Sequence, residues 1–239
     1  AAEELAAGGV GAGAGRRADP SCPDAVTRTH VRVDHEVWYR GRVALTWQPS
    51  LLAGQQPGFD RAFDALEHHD LGSGAWYDLV PGWVTGADEL FARIHEAAPW
   101  TSRERPMYDR TVVEPRLTTG AWDDPPDPVP AMAEALSARY GLDLRVVSAN
   151  LYRDGRDSVA WHGDRVGRRR AETVVAIVSL GAPRRFLLRP KTGGRSLRLT
   201  PAAGDLLVLG GTCQRTWEHS IPKCASAGPR ISLMFREEY

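Results

Sequence analysis

The fold is decided by a stretch of short apolar runs that opens with Leu144-Arg145-Val146-Val147-Ser148-Ala149-Asn150-Leu151-Tyr152-Arg153. Further runs of the same kind follow, separated by Gly, Pro and Asp, at residues 173–180, 185–189, 196–199, 205–209 and 230–236. Short apolar and β-branched runs bounded by such turn residues are typical of strands. A Gly-Gly pair within 192–195 predicts a hairpin turn. This part of the chain is therefore predicted to form a compact β-barrel or jelly roll.

Helical patterns precede these strands. Apolar residues at helical spacing predict one helix over residues 87–97, ended by Pro99, and a second over 129–140, followed by Gly141 as a C-terminal residue. A weaker pattern of the same kind predicts a helix over residues 55–68. Helices followed by many closely spaced strands indicate the α+β class.

Two histidines and one aspartate form a candidate metal site. His162 and Asp164 are two positions apart, so on extended chain their side chains lie on the same face. His219 lies much further along and has to be brought to them by the fold. Two imidazoles and one carboxylate are the ligands of the facial triad in non-heme Fe(II) oxygenases, although zinc could use the same ligands.

Two arginines follow the candidate ligands. Arg230 and Arg236 are separated by an even number of positions, so on a strand they share one face. A guanidinium binds a carboxylate through two parallel hydrogen bonds. The pair therefore favours an iron site that works with a keto-acid over a zinc site.

The ordered series of these motifs resembles the AlkB family of Fe(II)- and 2-oxoglutarate-dependent dioxygenases. The matching parts are 150–155, 157–164, His219 and 230–236, and the resemblance covers roughly residues 76 to 238. It implies a double-stranded β-helix, or jelly roll, with helices packed on one sheet. It also implies Fe(II), 2-oxoglutarate as cosubstrate and O2, with His162, Asp164 and His219 as the metal ligands.

The resemblance also implies roles for residues that bind the cosubstrate. Arg230 would bind the distal carboxylate of 2-oxoglutarate, and Arg236 would lie nearer the metal end. Asn150 and Tyr152 would supply hydrogen bonds. The family often has Asn two residues after the first arginine, where this chain has Ser232. A hydroxyl can still donate a hydrogen bond at that position.

Substrate recognition is implied by the same resemblance. Enzymes that modify a base take it out of the stack, and an aromatic side chain can then pack on it. Trp122 and Tyr108 are the candidates, with Arg116 in a segment that resembles the family's substrate lid. Arg165 begins an arginine-rich tract where family members that repair DNA often carry acidic residues. That tract, like Arg184-Arg185, is either a solvated turn or a phosphate contact.

The implied activity is oxidative demethylation of N-alkylated bases of the 1-methyladenine and 3-methylcytosine type, coupled to decarboxylation of 2-oxoglutarate to succinate. Alkylated DNA is the first expected partner and RNA the second. Two alternatives stay open. The chain could be an oxygenase of the same fold acting on a small molecule or a protein, or a catalytically silent relative that binds nucleic acid.

Composition adds a few bounds. Lys+Arg and Asp+Glu balance at 30 each, so net charge neither favours nor excludes a nucleic-acid partner. Three cysteines without a C-x-x-C motif do not form a disulfide framework, which favours a reducing cytoplasm. Residues 1–70 are predicted to be a partly flexible N-terminal extension and 71–239 the dioxygenase domain. We expect a monomer, with no membrane and no protein partner.

Overall fold

The computed structural model describes residues 36–38, 45, 54–107, 110–164 and 170–238. Tyr108 and Arg165, two of the predicted substrate contacts, lie outside these residues. Strands and helices are numbered in chain order throughout.

A large antiparallel sheet dominates the part of the chain that is described. Its nine strands, in spatial order, are β1 (Glu36–Trp38), β6 (Thr101–Met107), β7 (Arg110–Thr118), β8 (Val146–Tyr152), β15 (Arg230–Arg236), β10 (Val175–Gly181), β13 (Leu206–Gly211), β4 (Ala75–Val80) and β3 (Glu67–Gly72). Apart from the pairs β6–β7 and β3–β4, neighbours in this order are far apart in sequence, so long-range pairing sets most of the architecture.

A smaller sheet faces the large one. Its strands, in spatial order, are β12 (Leu197–Leu199), β11 (Phe186–Pro190), β14 (Trp217–Ile221) and β9 (Val159–His162). Two short strands, β2 (Gly58–Phe59) and β5 (Val84–Thr85), pair with each other. The helices of the described residues are α1 (Ala87–Ala97), α2 (Val129–Tyr140) and the short α3 (Cys213–Thr216).

Strand β15 separates two buried cores. Ile231, Leu233 and Phe235 pack into the core that the large sheet forms with α1 and α2. The alternate positions, from Arg230 to Arg236, lie on the opposite face because successive side chains of a strand point to opposite sides. That face looks toward the smaller sheet, where a second core holds Phe186 and Leu188 against the large sheet. The candidate site lies between the two sheets for this reason.

Most of the predicted elements are confirmed. Helices α1 and α2 have the predicted bounds, and Gly141 follows α2 with a left-handed φ of 66°. The predicted strands correspond to β8, β10, β11, β12, β13 and β15, and the predicted hairpin joins β11 to β12. The arrangement is the predicted α+β jelly roll with helices packed on one sheet.

The helix predicted over residues 55–68 is wrong. The segment contains β2, then a turn in which Phe63 has a φ of 57°, and then the start of β3. Asp60 stabilises the turn, since its carboxylate accepts the backbone N–H groups of Ala62 and Asp64 at 2.8 and 2.7 Å. Such side-chain bonds compete with a helix. The apolar periodicity was misleading because Phe63 packs on Trp83 from the turn, at a ring distance of 5.6 Å.

The predicted boundary between residues 70 and 71 falls inside β3, which pairs with β4. The described residues all belong to one compact unit, 32–239. The division into an extension and a catalytic domain stays a prediction. Among the described residues, helices are too short or too polar to cross a membrane.

Candidate metal and cosubstrate site

The three predicted metal ligands come together at the smaller sheet. His162 ends β9 and pairs directly with His219 of β14, and their rings are 4.3 Å apart between centroids. Asp164 follows just after β9, with its Oδ1 at 3.9 Å from Nε2 of His162. One ligand atom from each of the three residues lies within 4.8 Å of the others. The strand register therefore assembles the group that the sequence predicts.

The hydrogen bonds and burial of the two imidazoles suit metal binding. Nδ1 of His162 donates to the carbonyl of Ala160 at 2.8 Å, which leaves Nε2 free as a ligand atom. His219 is only 6% exposed, and this burial lowers its pKa to about 4. Its ring stacks on Phe186 at 5.1 Å between centroids. Metal ligands have to be deprotonated, and His219 is held neutral at pH 7.

Arg230 is a buried cation with two unmatched hydrogen-bond donors. Its guanidinium is 1% exposed, and Nη2 donates to the hydroxyl of Ser179 at 2.9 Å. Nε and Nη1 are buried without a hydrogen-bond partner among the described residues. Burial lowers the pKa of Arg230 to about 10, so the group stays charged at pH 7. A buried charge without a partner is costly, and a bound carboxylate removes that cost.

The other predicted cosubstrate contacts surround Arg230. Tyr152 is the direct cross-strand neighbour of Arg230, whose guanidinium lies 5.6 Å from the tyrosine ring. Asn150 is paired in the same way with Ser232. All three polar neighbours line one cavity together with the metal group. The amide of Asn150 donates to the Sδ of Met234 at 3.5 Å.

Arg236 occupies the other end of β15. Its Nη2 donates to the hydroxyl of Ser148 at 3.1 Å, and the residue lines the same cavity. A strand rises about 3.3 Å per residue, so the two arginines begin roughly 20 Å apart along β15. The two arginines therefore do not form a single clamp, and of the two only Arg236 is among the residues that line the cavity.

The cavity is large enough for a cosubstrate and a further ligand. Its volume is about 940 Å³, at the upper end of the usual range for small-molecule sites. Arg116 and Trp122 line it as well. Arg116 pairs with Glu114 at 3.3 Å, and Trp122 is 8% exposed and also packs in the helix-side core. The side chain of Trp122 therefore belongs both to this core and to the cavity wall.

Arg184 is not the phosphate contact or solvated residue that the sequence suggested. It is buried and donates to the backbone carbonyls of Asp154, Asp157 and Pro222 at 2.8 to 2.9 Å. It is therefore a structural residue that joins the loop after β8 to the segment after β14. Arg185 is exposed.

Some residues of the site were not predicted as members of it. They are Ser148 and Ser179, which accept from the two arginines, Phe186, which stacks on His219, and Gln214, which binds the backbone of Asp164. Strand alternation could have indicated Ser148, because it lies two positions before Asn150. The other contacts depend on pairing between distant segments.

These residues fit the cofactors of a non-heme iron oxygenase. Two imidazoles and a carboxylate form the ligand set, and a buried guanidinium offers two unmatched donors. The sequence profile of the 2OG-Fe(II) oxygenase superfamily matches residues 85–236, which contain all of them. The chain belongs to this superfamily. Fe(II), 2-oxoglutarate and O2, the cofactors predicted from the sequence, are those of the family.

Relatives with curated descriptions are AlkB homologues, which confirms the predicted resemblance. The bovine alpha-ketoglutarate-dependent dioxygenase alkB homolog 3 is 30% identical over 187 residues, covering 67% of this chain and 65% of the relative. The chain thus spans a little under two thirds of that relative's length. The DNA oxidative demethylase ALKBH2 of Arabidopsis thaliana is 29% identical over 262 residues, covering 89% and 79%.

Among solved structures, OsALKBH1 is similar with a TM-score of 0.49 and 15% sequence identity. The similarity covers 72% of this chain and all of that structure (100%).

Proposed function

We propose that this chain removes methyl groups from N-alkylated bases, of the 1-methyladenine and 3-methylcytosine type, in DNA first and RNA second. The observation that carries the proposal is one cavity that contains the three ligand residues, the polar neighbours of the buried Arg230, and Trp122 with Arg116. The name of the Arabidopsis thaliana relative, a DNA oxidative demethylase, supports the same substrate class.

His162, Asp164 and His219 would hold the iron. When bound, the iron with 2-oxoglutarate and O2 supplies the oxidation of the methyl group, coupled to loss of carbon dioxide from 2-oxoglutarate. The oxidised methyl leaves the base as formaldehyde. The part of the protein in this chemistry is placement, because the difficult step belongs to the cofactor.

Arg230 would bind the distal carboxylate of 2-oxoglutarate through its two unmatched donors. Tyr152, Asn150 and Ser232 would add hydrogen bonds from the adjacent strand positions. Arg236, held by Ser148 at the other end of β15, would lie nearer the metal end of the cosubstrate. Closed packing around Arg230 excludes water and strengthens the ion pair.

Trp122 and Tyr108 would pack on the extruded base, and Arg116 and Arg165 would contact the nucleic acid. Trp122 lies on the cavity wall, tied to β8 because its backbone N–H donates to the carbonyl of Val147 at 2.9 Å. Base stacking on an aromatic side chain tolerates any base sequence. This agrees with an enzyme that recognises the methylated base itself and depends little on the flanking nucleotide sequence.

The test follows a single methylated base. The protein is loaded with Fe(II) and 2-oxoglutarate without air, air is admitted, and an oligonucleotide with one 1-methyladenine or 3-methylcytosine is followed by mass. Loss of one methyl in the wild type, absent in His162→Ala, supports the proposal. Succinate release with an unchanged oligonucleotide would redirect it to an oxygenase with a small-molecule or protein substrate. No succinate at all would leave a silent nucleic-acid binder.

A further inference from the structure

The short helix α3 touches the metal group at a point that the catalytic scheme does not use. Gln214 of α3 is only 2% exposed. Its Oε1 accepts the backbone N–H of Asp164 at 2.9 Å. The orientation of this amide is settled, because a backbone N–H can only donate and so faces the oxygen.

A second contact brings the backbones of the same two segments together. A Cβ added at Gly163 would lie 2.5 Å from the carbonyl oxygen of Gln214, closer than a side chain allows. Glycine at this position therefore permits the turn between His162 and Asp164 to pack directly on α3. The turn is held to Gln214 through both its side chain and its main chain.

Lys191 braces the junction from a third segment. Its Nζ donates to the carbonyls of Gln214 at 3.0 Å and Arg215 at 2.9 Å. The ammonium thus satisfies carbonyls at the end of α3, which have no partners inside so short a helix. The added Cβ at Gly163 would also lie 3.0 Å from this Nζ. Lys191 follows β11, so three separate segments meet at the Asp164 turn.

The side-chain amide of Gln214 uses its oxygen at the Asp164 turn and leaves its nitrogen unmatched. Nε2 of Gln214 is buried without an acceptor among the described residues. An unmatched buried donor costs folding free energy, and the glutamine bears that cost while its oxygen accepts the N–H of Asp164. Residues that break a local rule in this way are concentrated at functional sites.

We propose that Gln214 is a positioning residue that fixes the backbone of Asp164, with Lys191 as its brace. By holding this N–H, Gln214 keeps the carboxylate of Asp164 directed at the two imidazoles before any metal binds. The inference rests on the proposed function, since it takes Asp164 as a ligand. Partners of metal ligands change metal affinity about 10- to 100-fold when removed.

The test measures Mn(II) affinity by isothermal titration calorimetry, without 2-oxoglutarate or O2. Gln214→Met removes both polar atoms at nearly constant volume, and Lys191→Met removes the brace. Thr216→Val is the matched control, because it deletes a side-chain bond from Thr216 to the carbonyl of Thr212 within the same helix. We expect Mn(II) binding about 10-fold or more weaker for Gln214→Met, a smaller loss for Lys191→Met, and no change for the control.

A double variant separates positioning from simple loss of packing. If Lys191 acts through Gln214, the losses in Mn(II) affinity for Lys191→Met and Gln214→Met will be less than additive in the double variant. Should Gln214→Met fail to fold, Gln214→Asn retains an amide that is too short to reach Asp164. Wild-type Mn(II) affinity in a folded Gln214 variant would overturn the inference. A wild type that binds no Mn(II) would overturn the proposed metal site as well.

Discussion

His162 and His219 lie directly opposite each other on the antiparallel strands β9 and β14, with ring centroids 4.3 Å apart. The backbone register of these strands therefore sets the spacing of the two imidazoles. A slip of one residue would turn the side chains of the slipped strand to the opposite face of the sheet. Asp164 is positioned by a different contact, because the turn that carries it rests on α3. The metal group thus combines a pair fixed by sheet pairing with a third ligand fixed by helix contacts.

The buried imidazole of His219 gives the metal-free protein a pH-dependent stability. Its pKa is lowered from 6.5 to about 4, mainly by burial. Between these values the unfolded chain binds more protons than the folded chain, so the free energy of unfolding rises with pH. We expect this group to contribute a loss of about 3 kcal/mol as the pH falls from 7 to below 4.

Urea unfolding of metal-free protein across this pH range checks the expectation. His219→Gln should flatten the dependence between pH 4 and 6.5, and His69→Gln, at an exposed edge-strand position, serves as the control. The same slope in His219→Gln and the wild type would show that this imidazole is not the cause.

Replacing Arg230 should raise the stability of the metal-free protein and weaken the binding of 2-oxoglutarate. Arg230→Met removes a buried charge without an acidic partner among the described residues, so the metal-free protein should become more stable. The same variant should lose 2-oxoglutarate affinity by about 10- to 100-fold, because hydrogen bonds to a charged group are worth about 1.5–3 kcal/mol. Calorimetric titration of 2-oxoglutarate into Mn(II)-loaded protein and thermal unfolding measure the two effects.

Arg185→Met is the control for the Arg230 variant, because it makes the same substitution at an exposed arginine. The wild type should gain about 2.7 kcal/mol of stability at 2-oxoglutarate concentrations 100 times its Kd, and Arg230→Met should gain only about 0.4 to 1.4 kcal/mol at the same concentration. Equal stabilisation of both proteins would contradict the role given to Arg230.

Arg184 should matter for stability and not for nucleic-acid binding. Arg184→Met leaves the three backbone carbonyls that now accept from it without a donor. We expect a loss of about 3 kcal/mol in the free energy of unfolding, since an unmatched buried group costs about 1–3 kcal/mol. Oligonucleotide affinity below the unfolding temperature should not change. A selective loss of affinity with unchanged stability would restore the phosphate-contact interpretation.

Trp122 should affect substrate turnover more than cosubstrate binding. Trp122→Leu keeps an apolar side chain in the helix-side core but removes the ring from the cavity wall. Stacking of a base on an aromatic is worth about 1–3 kcal/mol, so the KM for a methylated oligonucleotide should rise roughly 5- to 100-fold. Trp122→Phe should retain much of the activity. A KM unchanged in Trp122→Leu would assign this residue to the core alone.

The sequence predicted the parts of the fold that depend on local patterns. Strand β15 has apolar residues at the alternate positions Ile231, Leu233 and Phe235, so its two faces and the side of Arg230 follow directly from the chain. Helix α2 ends where its glycine predicts. The ligand residues were predictable because the chemistry needs particular side chains in a particular order.

Contacts between distant segments were not predictable. Gln214 shows no local signal, because its role depends on α3 meeting the turn after β9. Arg184 looked like any surface arginine, and only the fold brings three carbonyls to it. The segment before β3 carried helical periodicity, but Asp60 stabilises a turn there and the aromatic side chains pack without a helix.

The most direct test of the central claim is the mass of a single-stranded oligonucleotide carrying one 1-methyladenine, incubated with the protein, Fe(II), 2-oxoglutarate and air. The account predicts loss of one methyl group with formation of succinate by the wild type, and neither product with His162→Ala. An oligonucleotide that keeps its methyl group while the wild type forms succinate would contradict the assignment of alkylated nucleic acid as the substrate.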